Sequence, residues 1–384
     1  MTTVSARPDL SDPVALAQAL VRIESVTPDR GEAIDRVAAW LGELDADLWH
    51  VEERGARVPN LVARIGRGGP RLAFAGHTDV VPPGDAARWS HPPFAGEIAG
   101  RRLYGRGACD MKGGLAAAIA AAARVERPPG ELWFYVTGDE EGAARHGTAA
   151  IVRWLVEHGR GFDGCIVAEP TSKAQVGDTL KVGRRGSLNA ELAVEGTQGH
   201  TAFPHAADNP VHRLAAIVHE LATTPLDAGT ARFEPSTLQV SSFDVGNAAT
   251  NVIPPSARAL LNIRFNTAHT PAALEAWLNE VATRHAGRRA EVRIISVSDV
   301  FVAEAPAFQR CVADAVVATL GRTPQASTSG GTSDARFLKD LGPVVELGTV
   351  GHSLHQVDEW VELDELEELT RVFTAVIEQF GETA

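Results

Sequence analysis

Hydrophobic positions along the 384-residue chain repeat with two different spacings. Apolar residues three or four positions apart predict amphipathic helices, and short apolar runs that end in glycine, proline or acidic residues predict buried strands. The two kinds of element alternate in the first half of the chain, which is typical of a mainly parallel sheet with helices on both faces. The predicted elements are a helix capped by Asp12, helices at 32–44, 115–123 and 148–158, and strands at Asn60–Ile65, Arg71–Ala75, Glu131–Thr137 and Gly164–Ala168.

The pattern changes after Lys181 and changes back near residue 298. Between these points the order β-α-β-β-α-β indicates a ferredoxin-like domain. Its predicted elements are strands at 187–195, 236–245, 257–265 and 290–297 and helices at 208–222 and 271–286. A helix at 306–320, the strand Val344–Gly348 and a helix at 362–380 then resume the first pattern. We therefore expect an α/β domain made of residues 1–182 and 298–384, with residues 183–297 inserted as an α+β domain.

Composition narrows the class of protein. Hydrophobic residues make up 44% of the chain and charged residues 22%, which is ordinary for a soluble globular protein. The net charge of −13, from 36 basic and 49 acidic residues, argues against nucleic acid as a partner. The three cysteines are too few and too widely spaced for a disulfide framework. Met1–Leu20 contains no signal-peptide core, and the longest apolar stretch, Gly113–Ala123, is too short to span a membrane. We expect a cytoplasmic protein.

His77 and Asp79 directly follow a predicted buried strand. Residues two apart in extended backbone project from the same face. A histidine beside a carboxylate is typical of a metal ligand and the group that orients it. By itself such a pair is more often part of a surface turn.

Further acidic residues follow other predicted strands. Asp110 could be a helix N-cap, Glu140 and Glu141 a solvated turn, and Glu169 an ordinary strand exit. In open α/β sheets, however, functional groups gather at the carboxyl ends of the strands. Six candidates from four segments therefore favour a two-metal site; they are His77, Asp79, Asp110, Glu140, Glu141 and Glu169.

Ten motifs occur in a fixed order over residues 10–375. They are His77-Thr-Asp79, Gly105–Gly114, Thr137–Gly142, Glu169-Pro170, Lys181–Ser187, Gly199–His205, Asn251–Pro254, Asn262–Phe265, Ser329–Asp334 and His355–Glu359. Together they resemble the co-catalytic zinc family of aminoacylases, acetylornithine deacetylases and carboxypeptidases. The resemblance implies a zinc-peptidase-like catalytic domain with an inserted dimerisation domain.

The resemblance also implies a role for each metal-site residue. Two zinc ions, with cobalt possible at the second site, would be bridged by Asp110. His77 and Glu169 would complete one site, and Glu141 and His355 the other. Asp79 would orient His77, and Glu140 would be the general base. Cys109, beside Asp110, is either a small core residue or a thiol that tunes the centre.

The implied reaction is hydrolysis of N-succinyl-LL-2,6-diaminopimelate to LL-2,6-diaminopimelate and succinate, a step in lysine and diaminopimelate biosynthesis. This substrate carries three carboxylates, for which guanidinium and amide groups are suitable donors. The implied substrate-binding residues are Arg184, Arg185, Ser187, Asn251, Arg264, Gly330, Gly331 and Thr332. The alternative for the Arg184–Arg185 pair is an exposed hinge.

The resemblance further implies a homodimer that forms through the inserted domain. His200 would then stabilise the oxyanion in the partner's site; its alternative is a turn histidine. Other readings of the whole chain are an acetylornithine deacetylase or other N-acyl-amino-acid hydrolase, a dipeptidase, and a non-catalytic metal-binding homologue. The last would be expected to lack the base or a ligand, and this chain has them all.

Overall fold

Helices and strands follow one another along the chain largely as the hydrophobic spacing predicts. The structure is a computed structural model that describes residues 8–27, 30–142 and 144–383, so the first residues of the Met1–Leu20 segment lie outside it. The helices are α1 (Pro13–Val21), α2 (Glu32–Glu43), α3 (Gly113–Arg124), α4 (Thr148–Glu157), α5 (Pro210–Thr223), α6 (Pro271–Ala286), α7 (Pro306–Leu320), α8 (Ala335–Leu338) and α9 (Leu363–Thr383).

The strands range from two to ten residues in length. They are β1 (Asp47–His50), β2 (Asn60–Ile65), β3 (Arg71–His77), β4 (Glu97–Ala99), β5 (Arg102–Tyr104), β6 (Glu131–Thr137), β7 (Gly164–Val167), β8 (Thr179–Lys181), β9 (Gly183–Arg184), β10 (Gly186–Glu195), β11 (Gly199–His200), β12 (Thr237–Asp244), β13 (Val252–Ile253), β14 (Ser256–Phe265), β15 (Ala290–Ser298), β16 (Phe301–Val302), β17 (Gln325–Ser327), β18 (Val344–Glu346) and β19 (Trp360–Glu362).

The first helix shows how local sequence sets an element's start. The Asp12 side chain accepts hydrogen bonds from the main-chain N–H groups of Val14 and Ala15, at 2.9 and 3.2 Å. Pro13 occupies the first turn, where its missing N–H costs nothing. The predicted capped helix is confirmed.

The main sheet has eight strands in the order β1-β2-β6-β3-β7-β18-β8-β17. The pairs β6–β3, β3–β7, β7–β18 and β8–β17 are parallel, whereas β1–β2, β2–β6 and β18–β8 are antiparallel. β3 therefore lies in the parallel centre of the sheet, where carboxyl ends of neighbouring strands meet.

Both faces of this sheet are covered by helices. On one face Phe74 packs against Phe373 of α9, with ring centroids 4.9 Å apart. On the other face Trp49 stacks on Trp133 and contacts Trp154 of α4, at 5.9 and 5.5 Å. Because β3 and β6 are buried on both sides, they read in the sequence as continuous apolar runs.

A second, antiparallel sheet has the order β12-β14-β10-β15. One of its faces is buried against α5 and α6 around a separate core, which includes Leu192, Ile217, Leu261 and Leu278. The elements follow one another as β10-α5-β12-β14-α6-β15. The prediction of a mainly parallel α/β fold with an inserted ferredoxin-like domain is confirmed.

The contacts within the chain divide it into two compact units. The first runs up to Val182, takes up Ala303–Ser327 and continues from Ser333; the second comprises Gly183–Val302 and Thr328–Thr332. None of the helices in the described ranges combines the length and the hydropathy needed to cross a bilayer.

Several short strands were not predicted. β4 interrupts the stretch from Pro82 to Gly100, which the sequence indicates is a loop, and pairs with β5, which pairs with β19. β1, β8 and β17 were also missed. Segments of three or four residues are too short for a period of two to stand out.

We expect the substitution Glu365→Gln to stabilise the protein more at pH 8 than at pH 4.5. Glu365, on α9, is 9% exposed, and burial raises its pKa from 4.5 to about 7. Between these values the folded state keeps a proton that the unfolded state has released, so rising pH disfavours folding until the side chain is ionised in both states. Glutamine keeps an acceptor for the Val350 N–H and carries no charge to bury.

Urea unfolding of the parent and the variant at both pH values measures this difference. Glu378→Gln, at an exposed position on the same helix, is the matched control and should give no pH-dependent gain. An equal effect of Glu365→Gln at both pH values would contradict the prediction.

Candidate metal centre

His77 is the last residue of β3, and its side chain is only 1% exposed. Its Nδ1 lies 2.8 Å from the main-chain carbonyl oxygen of Asp79. A carbonyl oxygen can only accept a hydrogen bond, so Nδ1 carries a proton, and in the neutral ring Nε2 then presents its lone pair. This is the tautomer that a metal ligand requires.

The Asp79 carboxylate makes different contacts from those expected. Its Oδ1 is 3.7 Å from His77 Nδ1, too far for a hydrogen bond, so the orienting contact comes from the main chain instead. The carboxylate accepts the N–H groups of Glu140 and Glu141 at 3.0–3.1 Å. Asp79 therefore fixes the histidine through its carbonyl oxygen and the acidic turn after β6 through its side chain.

Asp110 lies between two histidines. It belongs to the turn Ala108–Lys112, which leads into α3. One carboxylate oxygen, Oδ1, is 3.3 Å from His77 Nε2, and the other, Oδ2, is 3.2 Å from His355 Nε2. A carboxylate that presents one oxygen to each of two ligands is suitably placed to bridge two ions.

The remaining predicted ligands complete the cluster. Glu141 Oε1 lies 2.9 Å from His355 Nε2, and Glu169 Oε1 lies 3.8 Å from His77 Nε2. Ligand atoms of two trios lie within 4.8 Å of one another and could each hold an ion. The trios are His77 with Asp110 and Glu141, and His77 with Glu140 and Glu169.

The donor set fits divalent cations. His77 Nε2 and Asp110 Oδ1 are both buried without a hydrogen-bond partner, although they lie 3.3 Å apart. Buried polar atoms are rarely left without a partner unless another group binds them. Imidazole nitrogen and carboxylate oxygen are ligands that Zn²⁺ accepts in catalytic sites. His77 Nε2 and Asp110 Oδ1 are therefore close enough together to bind the same cation.

Electrostatics point to the same conclusion. Contacts with Asp110 and Glu141 raise the pKa of His355 to about 10. Burial, and then the nearby carboxylate of Asp334, raise the pKa of Glu140 well above its usual range. Both shifts reflect negative charge crowded into a buried volume, and divalent cations would neutralise it.

The structure brings together every residue predicted for the metal site. All of them lie in the first unit, at the carboxyl ends of β3, β6 and β7 and in two turns. They are His77, Asp79, Asp110, Glu140, Glu141, Glu169 and His355.

Cys109 is a core residue by its surroundings. The thiol is fully buried and its Sγ donates to the main-chain oxygen of Val350 at 3.3 Å. Burial raises its pKa well above the usual value, which disfavours the reactive thiolate.

His200 lies in the second unit, on the two-stranded ribbon of β11 and β13. Its side chain is exposed, and its Nδ1 accepts the N–H of Ala202 at 3.0 Å. The neutral ring then carries its proton on Nε2, which is available as a donor. The main chain of Asn251 is tied to the same turn, because its oxygen accepts the N–H of Thr201 at 3.0 Å.

Three arginines converge elsewhere in the second unit. Burial, followed by repulsion from Arg185 and Arg184, lowers the pKa of Arg264. Arg185 Nε and Arg264 Nη1 are buried donors without a partner. Ser187 lies directly across the sheet from Arg264. Positive groups this close, with unused N–H donors, are suited to an anion.

The glycine-rich loop predicted for substrate binding is linked to these arginines. Arg184 Nη1 donates to the main-chain oxygen of Gly331 at 3.1 Å. Gly330 has φ +108°, a conformation that favours glycine, and Thr332 follows directly. The loop and the arginines therefore form one donor-rich group within the second unit.

Two buried acidic groups beside the candidate metal ligands were not singled out from the sequence. Asp334 accepts a hydrogen bond from the hydroxyl of Thr148 at 2.6 Å, and burial raises its pKa to about 6. The other is Glu359, whose carboxylate accepts the N–H of Asp110 at 3.1 Å. Asp334 is the last residue of the Ser329–Asp334 motif, and Glu359 is the last residue of the His355–Glu359 motif. Their positions in these motifs were the sign in the sequence that could have drawn attention to them.

Comparison with known proteins extends these observations. Residues 73–379 match the model of Peptidase family M20/M25/M40. Succinyl-diaminopimelate desuccinylase of Gluconobacter oxydans (strain 621H) is 50% identical over 376 residues, covering 97% of this chain and 98% of that relative.

Solved structures at low identity support the fold alone. The M20 family metallo-carboxypeptidase Sso-CP2 from Sulfolobus solfataricus has a TM-score of 0.80 at 17% identity, covering 97% of this chain and 99% of that one. The Bacillus subtilis YXEP protein, a dinuclear metal binding peptidase from the M20 family, has a TM-score of 0.70 at 16% identity, covering 98% and 99%. The matched region includes every predicted metal ligand, and the chain belongs to Peptidase family M20/M25/M40.

Proposed function

We propose that the chain hydrolyses the amide bond of N-succinyl-LL-2,6-diaminopimelate, releasing LL-2,6-diaminopimelate and succinate for lysine and diaminopimelate biosynthesis in the cytoplasm. The observation that carries the proposal is 50% identity along nearly the whole length of a relative with this activity in its name. The complete ligand cluster supports it, since a non-catalytic homologue would be expected to have lost part of that cluster.

Two zinc ions would be held by the residues of the metal centre, with cobalt possible at the second site. Asp110 would bridge them, His77 and Glu169 would complete one site, and Glu141 and His355 the other. When bound, such ions lower the pKa of water, polarise the amide carbonyl and stabilise the charge of the tetrahedral intermediate.

Glu140 is the proposed general base. Its carboxylate lies within 4.8 Å of the ligand atoms of His77 and Glu169, and Asp79 holds its main-chain N–H. Glu140 would take a proton from the attacking water and return it to the departing amine nitrogen. Proton transfer by a positioned group contributes about 10²–10⁴-fold to rate.

The arginine group of the second unit would bind the carboxylates of the substrate. Its members with unused N–H donors are Arg185 and Arg264, and Arg184 links them to the Gly330–Thr332 loop. Ser187 and Asn251 would add neutral donors. An acetylornithine deacetylase, the second candidate, would need fewer carboxylate-binding groups, because its substrate has one carboxylate.

The second unit would also form a homodimer and supply His200 to the partner's site. The four-stranded sheet ends in the edge strands β12 and β15. Exposed apolar side chains lie on these strands, among them Phe243, Ile295 and Val297. An unpaired, apolar edge strand is a template for pairing with another chain.

Zinc content should distinguish the roles of the clustered residues. Asp110→Ala is expected to lose both ions, because its two oxygens face both histidines, whereas His77→Ala and His355→Ala should each weaken one site. Glu140→Gln should keep two ions. Mass spectrometry of protein dialysed against limiting zinc measures this, with His146→Ala, at a partly exposed position, as control. Two tightly bound ions in Asp110→Ala would exclude the bridging role.

Substrate choice tests the proposed activity. Protein that has been chelated and then reloaded with zinc is expected to hydrolyse N-succinyl-LL-2,6-diaminopimelate and to leave N-acetylornithine largely intact. Glu140→Gln should lower turnover by about 10²–10⁴-fold. Cleavage of the acetyl substrate alone would favour the second candidate, and no cleavage with zinc bound would favour a non-catalytic homologue.

Mixed dimers test the contribution of His200. Each variant alone, His200→Ala or Glu140→Gln, is expected to be inactive or nearly so, with a loss of about 10²–10³-fold for the donor. A purified heterodimer of the two variants should regain about half the parent activity, because one site then has both groups. An inactive heterodimer, or a fully active monomer in sedimentation and assay, would overturn the proposal.

A further inference from the structure

Arg106 and Glu359 form an ion pair that is almost completely buried. Their side chains are 3% and 0% exposed, and Arg106 Nη1 lies 2.7 Å from Glu359 Oε2. Burying two charges is costly unless their remaining hydrogen-bonding capacity is also used. The contacts of this pair therefore identify the groups that it holds in place.

Glu359 binds the main chain of the turn that carries Asp110. Its Oε1 accepts the N–H groups of Cys109 and Asp110 at 2.9 and 3.1 Å, and its Oε2 accepts that of Gly107 at 3.0 Å. Three N–H groups from four consecutive residues thus converge on one carboxylate, as they do in an anion-binding nest. With Arg106 added, both oxygens have two donors each, so Glu359 is fully engaged and is not itself placed as a ligand.

Arg106 binds the main chain of the segment that carries His355. Its Nη1 donates to the oxygen of Gln356 at 3.1 Å, and its Nη2 approaches the oxygen of His355 at 3.5 Å. His355 has φ +60°, which is uncommon for a residue other than glycine and needs support from its surroundings. The guanidinium also lies over the ring of Trp89, 5.1 Å from its centroid.

We propose that the Arg106–Glu359 pair is a positioning unit that sets the separation between Asp110 and His355 and thereby the metal affinity of the centre. This inference rests on the proposed dinuclear site. The two segments are far apart in the sequence, yet Asp110 Oδ2 and His355 Nε2 lie 3.2 Å apart. The ion pair is a direct link between their main chains.

The Arg106–Glu359 pair acts on both ions through Asp110, the ligand that they would share. A shift of the turn of Gly107–Asp110 would change the distances from the Asp110 oxygens to both His77 and His355. Groups that support metal ligands from behind typically contribute 10–100-fold to metal affinity. Loss of the pair should therefore weaken both sites, which distinguishes it from loss of a terminal ligand.

The test uses Glu359→Gln in the full-length protein. Glutamine has the same shape, but an NH₂ group replaces one of the two accepting oxygens. That NH₂ group would face N–H donors, with which it cannot form a hydrogen bond. We expect zinc to bind about 10–100-fold more weakly at both sites, measured by competition with a chromogenic chelator. The visible absorption spectrum of the cobalt-loaded variant should also change, because the ligand geometry has changed.

Glu367→Gln is the matched control. Glu367 forms a two-bonded pair with Arg124, at 2.7 and 2.8 Å. The guanidinium of Arg124 also donates to the main-chain oxygen of Ser11, which is not a metal-site residue. Glu367→Gln should leave zinc affinity and the cobalt spectrum unchanged. Circular dichroism of the metal-free proteins shows whether each variant is folded at the temperature of the titration.

The outcomes separate this inference from the proposed function. If metal-free Glu359→Gln is folded and binds zinc as the parent does, with an unchanged cobalt spectrum, the pair has a purely structural role and the inference is wrong. If Glu359→Gln does not fold, Arg106→Lys keeps the charge but loses the second guanidinium nitrogen, and the same weakening is expected. A parent protein that binds no zinc would overturn the proposed function instead.

Discussion

The requirement on which the first unit depends is to keep several carboxylates buried within a few ångströms of one another. Hydrogen bonds from main-chain N–H groups stabilise two of these carboxylates, those of Asp79 and Glu359. Asp79 accepts two of these N–H groups from the turn that carries Glu140 and Glu141, and Glu359 accepts three from the turn that carries Asp110. Each carboxylate is thus stabilised by hydrogen bonds while it places a turn that bears candidate ligands. Some of the buried carboxylates therefore hold the main chain of the site in place, in addition to those that are candidate ligands.

The parallel centre of the main sheet provides the platform for this arrangement. β3, β6 and β7 are neighbours whose carboxyl ends meet, so His77, Glu140 and Glu169 are delivered to one edge by strands that are buried on both faces. The second unit has its own sheet and its own core, and it carries the arginine group. The candidate metal centre and the arginine group therefore rest on two sheets with separate cores.

Much of this arrangement could be predicted from the sequence, and the exceptions have physical reasons. β3 was predictable from its unbroken apolar run and α9 from its helical period, whereas β8 and β17 are too short to show either pattern. The clustering of the candidate ligands was predictable in part because His77 and Glu169 directly follow apolar runs. The contacts of Asp79 were not, because spacing cannot tell a main-chain carbonyl from a carboxylate. Glu359 escaped notice for a similar reason: its partners are N–H groups, which every residue but proline has.

The metal centre has a consequence for how the chain is made. Its contributors extend from His77 to Glu359, and the whole second unit is synthesised between Glu169 and His355. During translation the ferredoxin-like unit can complete its local pairings while the centre still lacks a ligand and the Glu359 side chain. Domains generally fold as units during synthesis, but here the first unit must wait for its returning segment. Until that segment leaves the ribosome, the turn that carries Asp110 lacks the Glu359 carboxylate, whereas the turn after β6 already has that of Asp79. The proposed centre can therefore be completed only after the second unit has been made.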